Sequence, residues 1–468
     1  MQEKPGLEVN SVGMSNSVTE ETWPPAPASS LPAVEGTAAG PRGTLGRNLV
    51  FIAYAVFITT MAQSGVLGGL PIRLLLKNHL HVSRTGLSAF IFIAGLAWYV
   101  KPLFGLITDA YPLFGTRRRW YMIGSALFAA GGWVLISLGQ HHYNTLLWAT
   151  VTLGVFMVVA STIMGALLVE AGQAFGATGR VSSVREFVSG GCSLIAGPLG
   201  GWLAGRAFGL TAGIGIGLLI SLAVAAFFLL KEEPVARRNL SVWAEAWQQI
   251  KRALGSRTLW AAAGLLVLFF FSPGFSTPLL YRQQDMLHFS DQFLGYLAFW
   301  SGGAAMLGAA AYGLVCRFFN LRLLLFVGIG ISAVASLLYV SYHPTHLEAI
   351  AIEITVGFFG TFGVLPLYDL ATRATPRGGE GMGYALMMSA RNVALFGADW
   401  VGSKLLDSHA LPWNGLVLLS AGTTALCVVA VPFLPGLLMR HREGEDMGEA
   451  GVTGEQISGP EPTIGRPS

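Results

Sequence analysis

Twelve stretches of about 20 predominantly apolar residues follow one another along this chain. Nothing else in it restricts the fold as strongly, because a bilayer core about 30 Å thick takes that many helical residues at 1.5 Å each. Within hydrocarbon every backbone N–H and C=O needs an internal partner, so runs of this length read as helices. Charged residues make up only 12% of 468 positions against 53% hydrophobic ones, about half the charged share of a soluble domain. The expected class is an all-α integral membrane protein with twelve transmembrane helices.

The first six spans are read at about Leu49 to Leu70, Leu87 to Ile107, Trp120 to Gly139, Thr145 to Val169, Phe187 to Phe208 and Leu210 to Leu230. The second six are read at about Leu259 to Tyr281, Phe293 to Val315, Leu323 to Tyr342, Leu347 to Leu370, Gly383 to Ser403 and Gly415 to Leu434. Lys and Arg concentrate in alternate loops, among them Arg117, Arg118 and Arg119, then Arg180 and Arg185, and the run from Lys231 to Arg257. Cytoplasmic loops keep that positive excess, so both termini are expected in the cytoplasm of a multi-pass protein of the cell (inner) membrane. The same bias accounts for the net charge of +4, and no nucleic-acid partner is expected.

Five segments are expected. Residues 1–47, rich in Pro, Ser, Thr, Ala and Gly, read as a disordered tail, and 48–230 as a six-helix bundle. Residues 231–258 form a linker, 259–437 a second six-helix bundle, and 438–468 a polar tail. In the linker, Leu240, Trp243, Trp247, Ile250 and Leu254 fall at helical spacing, the pattern of an amphipathic helix lying on the membrane surface. Cys192, Cys316 and Cys427 lie in or beside spans without a pairing pattern, so neither disulfides nor a metal site is expected.

A 6+6 chain with a long central connector resembles the major facilitator architecture, two six-helix bundles related by a pseudo-twofold axis along the membrane normal. Between spans two and three, Gly105-x-x-x-Asp109 followed by Gly115-x-Arg117-Arg118-Arg119 resembles that superfamily's loop signature. Physically this is a latch: a carboxylate at a helix end pairs with a neighbouring helix dipole or arginine when one side is closed and releases when it opens. Lys101, Gly105, Asp109 and Arg117 are the candidate gating residues.

Four segments carry a narrower resemblance. "KPLFGLITDAYPLFGTRRRWYM", "LPIRLLLKNHLHVS", "FSPGFSTPLLYRQQDMLHFSDQFLG" and "PRGGEGMGYALMMSARN" each resemble segments of the folate-biopterin transporter family. The resemblance spans residues about 49 to 435 and implies a carrier of folates or pterins. One departure bears on the substrate. Where the family pattern shows two aspartates in span four, this chain has Ser161 and Gly165, keeping only Glu170, so the usual acceptors for pterin N–H donors are missing there.

Ionisable side chains inside spans cost about 3 kcal/mol or more and so face a bundle interior or a water cavity. Arg391 is the leading candidate anchor, because a guanidinium grips a carboxylate with two parallel hydrogen bonds. The alternative is that it pairs with Glu353 or Asp399 and only locks the bundle. Asn392, Gln63, Tyr384 and Phe275 are further candidate substrate contacts, as polar groups or stacking rings. Glu353, Glu170 and Asp399 are candidate proton carriers.

All nine histidines lie at loops or span ends, which disfavours haem ligation, and neither a phosphate loop nor a convergent nucleophile and base is present. The expectation is therefore a cofactor-free, monomeric, non-enzymatic secondary carrier. It would move a small organic solute by alternating access, with proton symport, folates or pterins being implied by the resemblance. Another small organic anion, or a non-transporting scaffold or sensor with a carrier fold, is the alternative.

Overall fold

The structure, a computed structural model, describes residues 42–116, 118–174, 178–230, 241–316, 318–375 and 380–436. Most of the expected tails, the first part of the linker and Arg117 lie outside the described residues, as do the side chains of Asp109 and Glu170. The first half contains α1 (Arg42–Met61), α2 (Gly69–Leu74), α3 (Arg84–Ala94), α4 (Leu96–Tyr99) and α5 (Lys101–Ala110). It continues with α6 (Arg119–Gly139), α7 (Tyr143–Ala174), α8 (Thr178–Ala204) and α9 (Phe208–Leu229). After the linker helix α10 (Ser241–Gly255) come α11 (Arg257–Phe270), α12 (Ser276–Tyr281), α13 (Asp291–Val315) and α14 (Leu321–Ser336). Last are α15 (His346–Ala374), α16 (Glu380–Asp407) and α17 (Trp413–Ala430).

Each of the twelve apolar runs is helical. Among the described residues seven helices are continuous and apolar enough to cross a membrane by length and composition. The other five runs are broken or carry more polar residues: α1 with α2, α3 with α4 and α5, α8, α11 with α12, and α16. α10 meets α11 at 76°, so the linker helix turns aside from the span it precedes. It packs on α5 and α16 through Ala246 and Ala253, which are buried, while Trp243, Trp247 and Leu254 stay exposed.

Several boundaries depart from the sequence reading, among them the start of α8 at Thr178 instead of Phe187. α1 begins at Arg42, inside the expected tail. The first span does not stop at Leu70 but breaks and resumes as α2, followed by a π-type turn over Leu75–His79. The break costs backbone hydrogen bonds, and side chains replace them. The indole N–H of Trp133 donates to Ala62 O at 3.0 Å, and the Gln63 amide donates to Thr59 O at 2.9 Å. Gly68 has no room for a side chain: a Cβ there would meet Ile72 at 2.8 Å and Trp133 at 2.9 Å.

The second half repeats this geometry at a constant offset. α11 breaks after Phe270, α12 resumes at Ser276, and a π-type turn spans Arg282–Met286. Leu80 N and Leu287 N donate to Leu75 O and Arg282 O at 3.1 Å each. Val82 N and Phe289 N donate to Leu76 O at 3.0 Å and Gln283 O at 2.9 Å. His81 and His288 take positive φ, 48° and 53°, and Ser83 and Ser290 cap the helices that follow by accepting from Gly86 N and Phe293 N. Paired interruptions in matching helices of the two halves mark solute sites in transporters of this construction.

Candidate functional site

The near end of the bundle holds the starts of α1 and α11, and the far end holds the two Leu-His-x-Ser turns. The far end is closed by side chains crossing between the halves. Lys77 pairs with Asp285 and Tyr281 Oη donates to Val82 O. Arg84 Nη1 lies 3.3 Å from Asp407 Oδ1, and Asp407 Oδ2 accepts from both the backbone N–H and the hydroxyl of Thr85 at 2.8 Å. Backbone contact backs these links. A Cβ on Gly197 of α8 would come within 2.7 Å of Gly295 O on α13, and one on Gly201 within 2.8 Å of Asp291 O, so only glycine permits this approach.

Two cavities meet at the seam of the halves. The first, about 370 Å³, is lined by Gln63, Arg73, Phe90, Trp98, Asn392 and Phe396 among others. The second, about 530 Å³, is lined by Arg73, Ser276, Gln283, Ser301 and Glu353 among others. Arg73, on the resumed segment α2, lines both. Its guanidinium makes no hydrogen bond or ion pair with any described residue. The acid whose charge acts on it is Asp399, across the seam.

Asp399 is itself held by one residue. Its two oxygens accept from the backbone N–H of Thr277 at 2.9 Å and from its hydroxyl at 2.5 Å, satisfying the exposed donors where α12 restarts. The side chain is buried and braces the break of the second half. Glu353, also buried, accepts from Tyr339 Oη and Tyr342 Oη at 3.3 Å each. Gln283 Nε2 donates to Tyr342 Oη at 3.0 Å, extending the chain into the second cavity. No cation pairs with this carboxylate among the described residues.

Arg391 pairs with neither Glu353 nor Asp399. Its Nη1 donates to Asn392 Oδ1 at 2.8 Å, and its guanidinium lies 4.5 Å from the Phe270 ring centroid and 5.7 Å from that of Tyr368. It sits behind the wall of the first cavity rather than on it; Asn392 and Gln63 reach the surface. Tyr384 packs against the core of the second half. Phe275 meets the rings of Tyr339 at 5.1 Å and Trp413 at 5.8 Å edge to face and lines neither cavity. Lys101 donates to Ser161 Oγ at 3.0 Å and lies 5.1 Å from the Trp98 ring, so the serine in place of the family aspartate meets this lysine. Gly105 faces Thr162 of α7.

The profile of the BT1 family matches residues 65–455, most of the chain and both broken helices' resumed segments. The chain belongs to the BT1 family. Its similarity extends to the folate-biopterin transporter of Synechocystis, 27% identical over 403 residues that cover 80% of this chain and 79% of that protein. Folate transporter 1 of Plasmodium falciparum is 24% identical over 364 residues, 73% of this chain and 70% of the relative. Two solved structures share the fold of this BT1 member. A D-xylose–proton symporter superposes with TM-score 0.62 at 15% identity, covering 84% of this chain and 98% of the symporter. A nucleoside transporter gives 0.63 at 13% identity with the same coverages. The fold is the major facilitator fold, and the BT1 chain is a multi-pass membrane transporter.

The sequence reading missed Arg73, Gln283, Tyr339 and Tyr342 as cavity or network residues, and Lys77, Asp285 and Asp407 as far-end links. On the sequence alone Arg73 falls in a loop, because the apolar run ends at Leu70. The signals that expose it are Gly68-Gly69 before Pro71, a helix restart, and the recurrence of Leu-His-x-Ser at 80–83 and 287–290.

Proposed function

We propose that this protein is a secondary carrier that moves a folate- or pterin-like organic anion across the cell membrane by alternating access, in symport with a proton. The observation that carries the reading is the pair of cavities meeting at the seam, each walled by the resumed segment of a broken helix. The names of the BT1 relatives support the substrate class. The near end is the cytoplasmic one on the distribution of Lys and Arg, and the carrier works as a monomer.

In this reading Gln63 and Asn392 orient the solute at the wall of the first cavity. Arg391 acts through Asn392 as a positioning residue. Glu353 carries the proton, since it is a buried carboxylate, without a cationic partner among the described residues, that lines the second cavity beside two phenols. Asp399 braces the restart of α12 instead of exchanging protons. Closing of the near end falls to the loop holding Asp109 and Arg117, with Lys101 and Gly105 positioning α5 against α7.

The test is uptake by proteoliposomes. Folate accumulation should rise when an inward proton gradient is imposed, and Glu353→Gln should abolish that gradient dependence while leaving exchange of internal for external folate. Uptake by Glu353→Gln that still follows the gradient would overturn the proton assignment. One observation favours a second reading, a different aromatic or aliphatic organic anion: Ser161 and Gly165 remove two acids from the family pattern in span four.

A further inference from the structure

We infer that Arg73 is the anchor of the substrate's carboxylate, holding it where the two cavities meet while an aromatic ring of the same molecule lies in the first cavity. The inference rests on the carrier reading above and identifies which cation and which cavity that carrier uses.

A charged side chain at membrane depth survives where it faces water or a partner. Arg73 has no hydrogen-bond or ion-pair partner among the described residues, and a guanidinium offers five N–H donors in a planar fork that matches a carboxylate. Asp399 supplies a compensating charge at a distance, but its oxygens accept from Thr277 and neither is hydrogen-bonded to Arg73. Arg391, the other cation in this region, is enclosed by Phe270, Tyr368 and Asn392 and is not on either cavity surface. Of the two arginines, Arg73 alone is placed to meet a solute.

The walls divide the labour. Phe90, Trp98 and Phe396 give the first cavity aromatic faces, and its volume of about 370 Å³ falls in the range of small-molecule sites. The second cavity carries Glu353, whose charge disfavours a second anion there. The substrate class is thus an aromatic compound with one carboxylate within reach of its ring. The matching position in the second half is Leu280, so the carrier holds one such anchor and not a symmetric pair.

The anchor also touches the gate. Arg73 and Lys77 are four residues apart, across the join of α2 with its π-type turn, and Lys77 makes the far-end pair with Asp285. A carboxylate drawn to Arg73 sits beside the link that closes the far end.

Binding is to be measured by ligand-induced thermal shift and tryptophan quenching on purified full-length protein, with folic acid, 4-aminobenzoate and a carboxylate-free pterin. Arg73→Ala should weaken the carboxylates about 10- to 100-fold, the effect of losing a charged hydrogen-bonded pair, and leave the pterin within about twofold. Arg73→Lys should fall between. Where Arg73→Ala fails to purify as a monodisperse species, the charge-balanced Arg73→Gln/Asp399→Asn protein replaces it. Equal losses for all ligands, or none, overturn the anchor. Wild-type protein that binds folic acid through Arg73 yet shows no liposome flux overturns the carrier reading and keeps the anchor. Flux unchanged by Arg73→Ala does the reverse, and wild-type protein that binds none of the carboxylates overturns both.

Discussion

The opening helix of each half, residues 42–80 and 257–287, is the same shape built from different chemistry. Both break, restart for six residues, end in a π-type turn and reverse through a positive-φ histidine into a serine-capped helix. The side chains on that shared shape diverge. At matched positions the first half has Gln63, Arg73, Lys77 and Arg84, and the second has Phe270, Leu280, Gln284 and Asp291. The first half's cations reach across to acids of the second, Lys77 to Asp285 and Arg84 to Asp407. Asp291 instead stays at home and accepts from Gln284 at 2.7 Å. Repeated backbone supplies the hinge points, and unequal charge supplies attraction between halves that identical copies would turn into repulsion.

The strongest way to break this comparison is at Asp407, which accepts three links from the first half's turn. Asp407→Ala removes them together, and hydrogen bonds to a charged group are worth about 1.5–3 kcal/mol. Because Arg84 and Asp407 are partly exposed, the expected loss is about 2 kcal/mol of the closed far end. Labelling of a cysteine placed at the buried Ser403, one turn before Asp407 on α16, should then accelerate about 30-fold; unchanged labelling would show that the glycine packing of α8 on α13 closes this end by itself.

A smaller effect sharpens the charge asymmetry. Lys77→Asp should set two acids against each other and loosen the far end by about 1 kcal/mol, since Asp285 is half exposed and solvent screens it. Adding Asp285→Lys to the same chain should restore closure, measured by the same labelling rate. Failure of the double variant to recover would mean that Lys77 acts through its stacking on Tyr281 instead of through the ion pair.

Much of this architecture was legible beforehand, and its gaps have one physical origin. Apolar runs of bilayer length are counted directly from sequence, so the twelve helices and the amphipathic α10 were accessible. So was the Asp369–Arg373 pair, four residues apart on one helix and 2.9 Å in the structure. A break is harder to see, because its missing hydrogen bonds are replaced from distant positions such as Trp133 and Asp399. An uninterrupted first span ends at Leu70 and places Arg73 in a loop. Arg391 was conspicuous for the opposite reason: its charge lies inside a clean apolar run, whereas its enclosure by Phe270 and Tyr368 depends on helices far away in the chain.

The smallest effect tests whether the two turns are equivalent as well as similar. Ser83 and Ser290 occupy matching positions and accept from the third residue onward at 3.2 and 3.3 Å. An N-cap serine replaced by alanine costs about 0.5–2 kcal/mol, and both caps are exposed, which puts each near the lower end. Ser83→Ala and Ser290→Ala should therefore lower the thermal midpoint of the purified protein by similar small amounts, and the double variant by their sum, because the sites share no partner. A clear inequality would place the difference in what each turn contacts. Asp407 accepts from the Thr85 N–H in the first turn of α3, whereas in the first turn of α13 Asp291 accepts from Gln284 and Gln292 donates to Pro198 O. The first cap would then be the less sensitive of the two, since a second acceptor already holds its helix start.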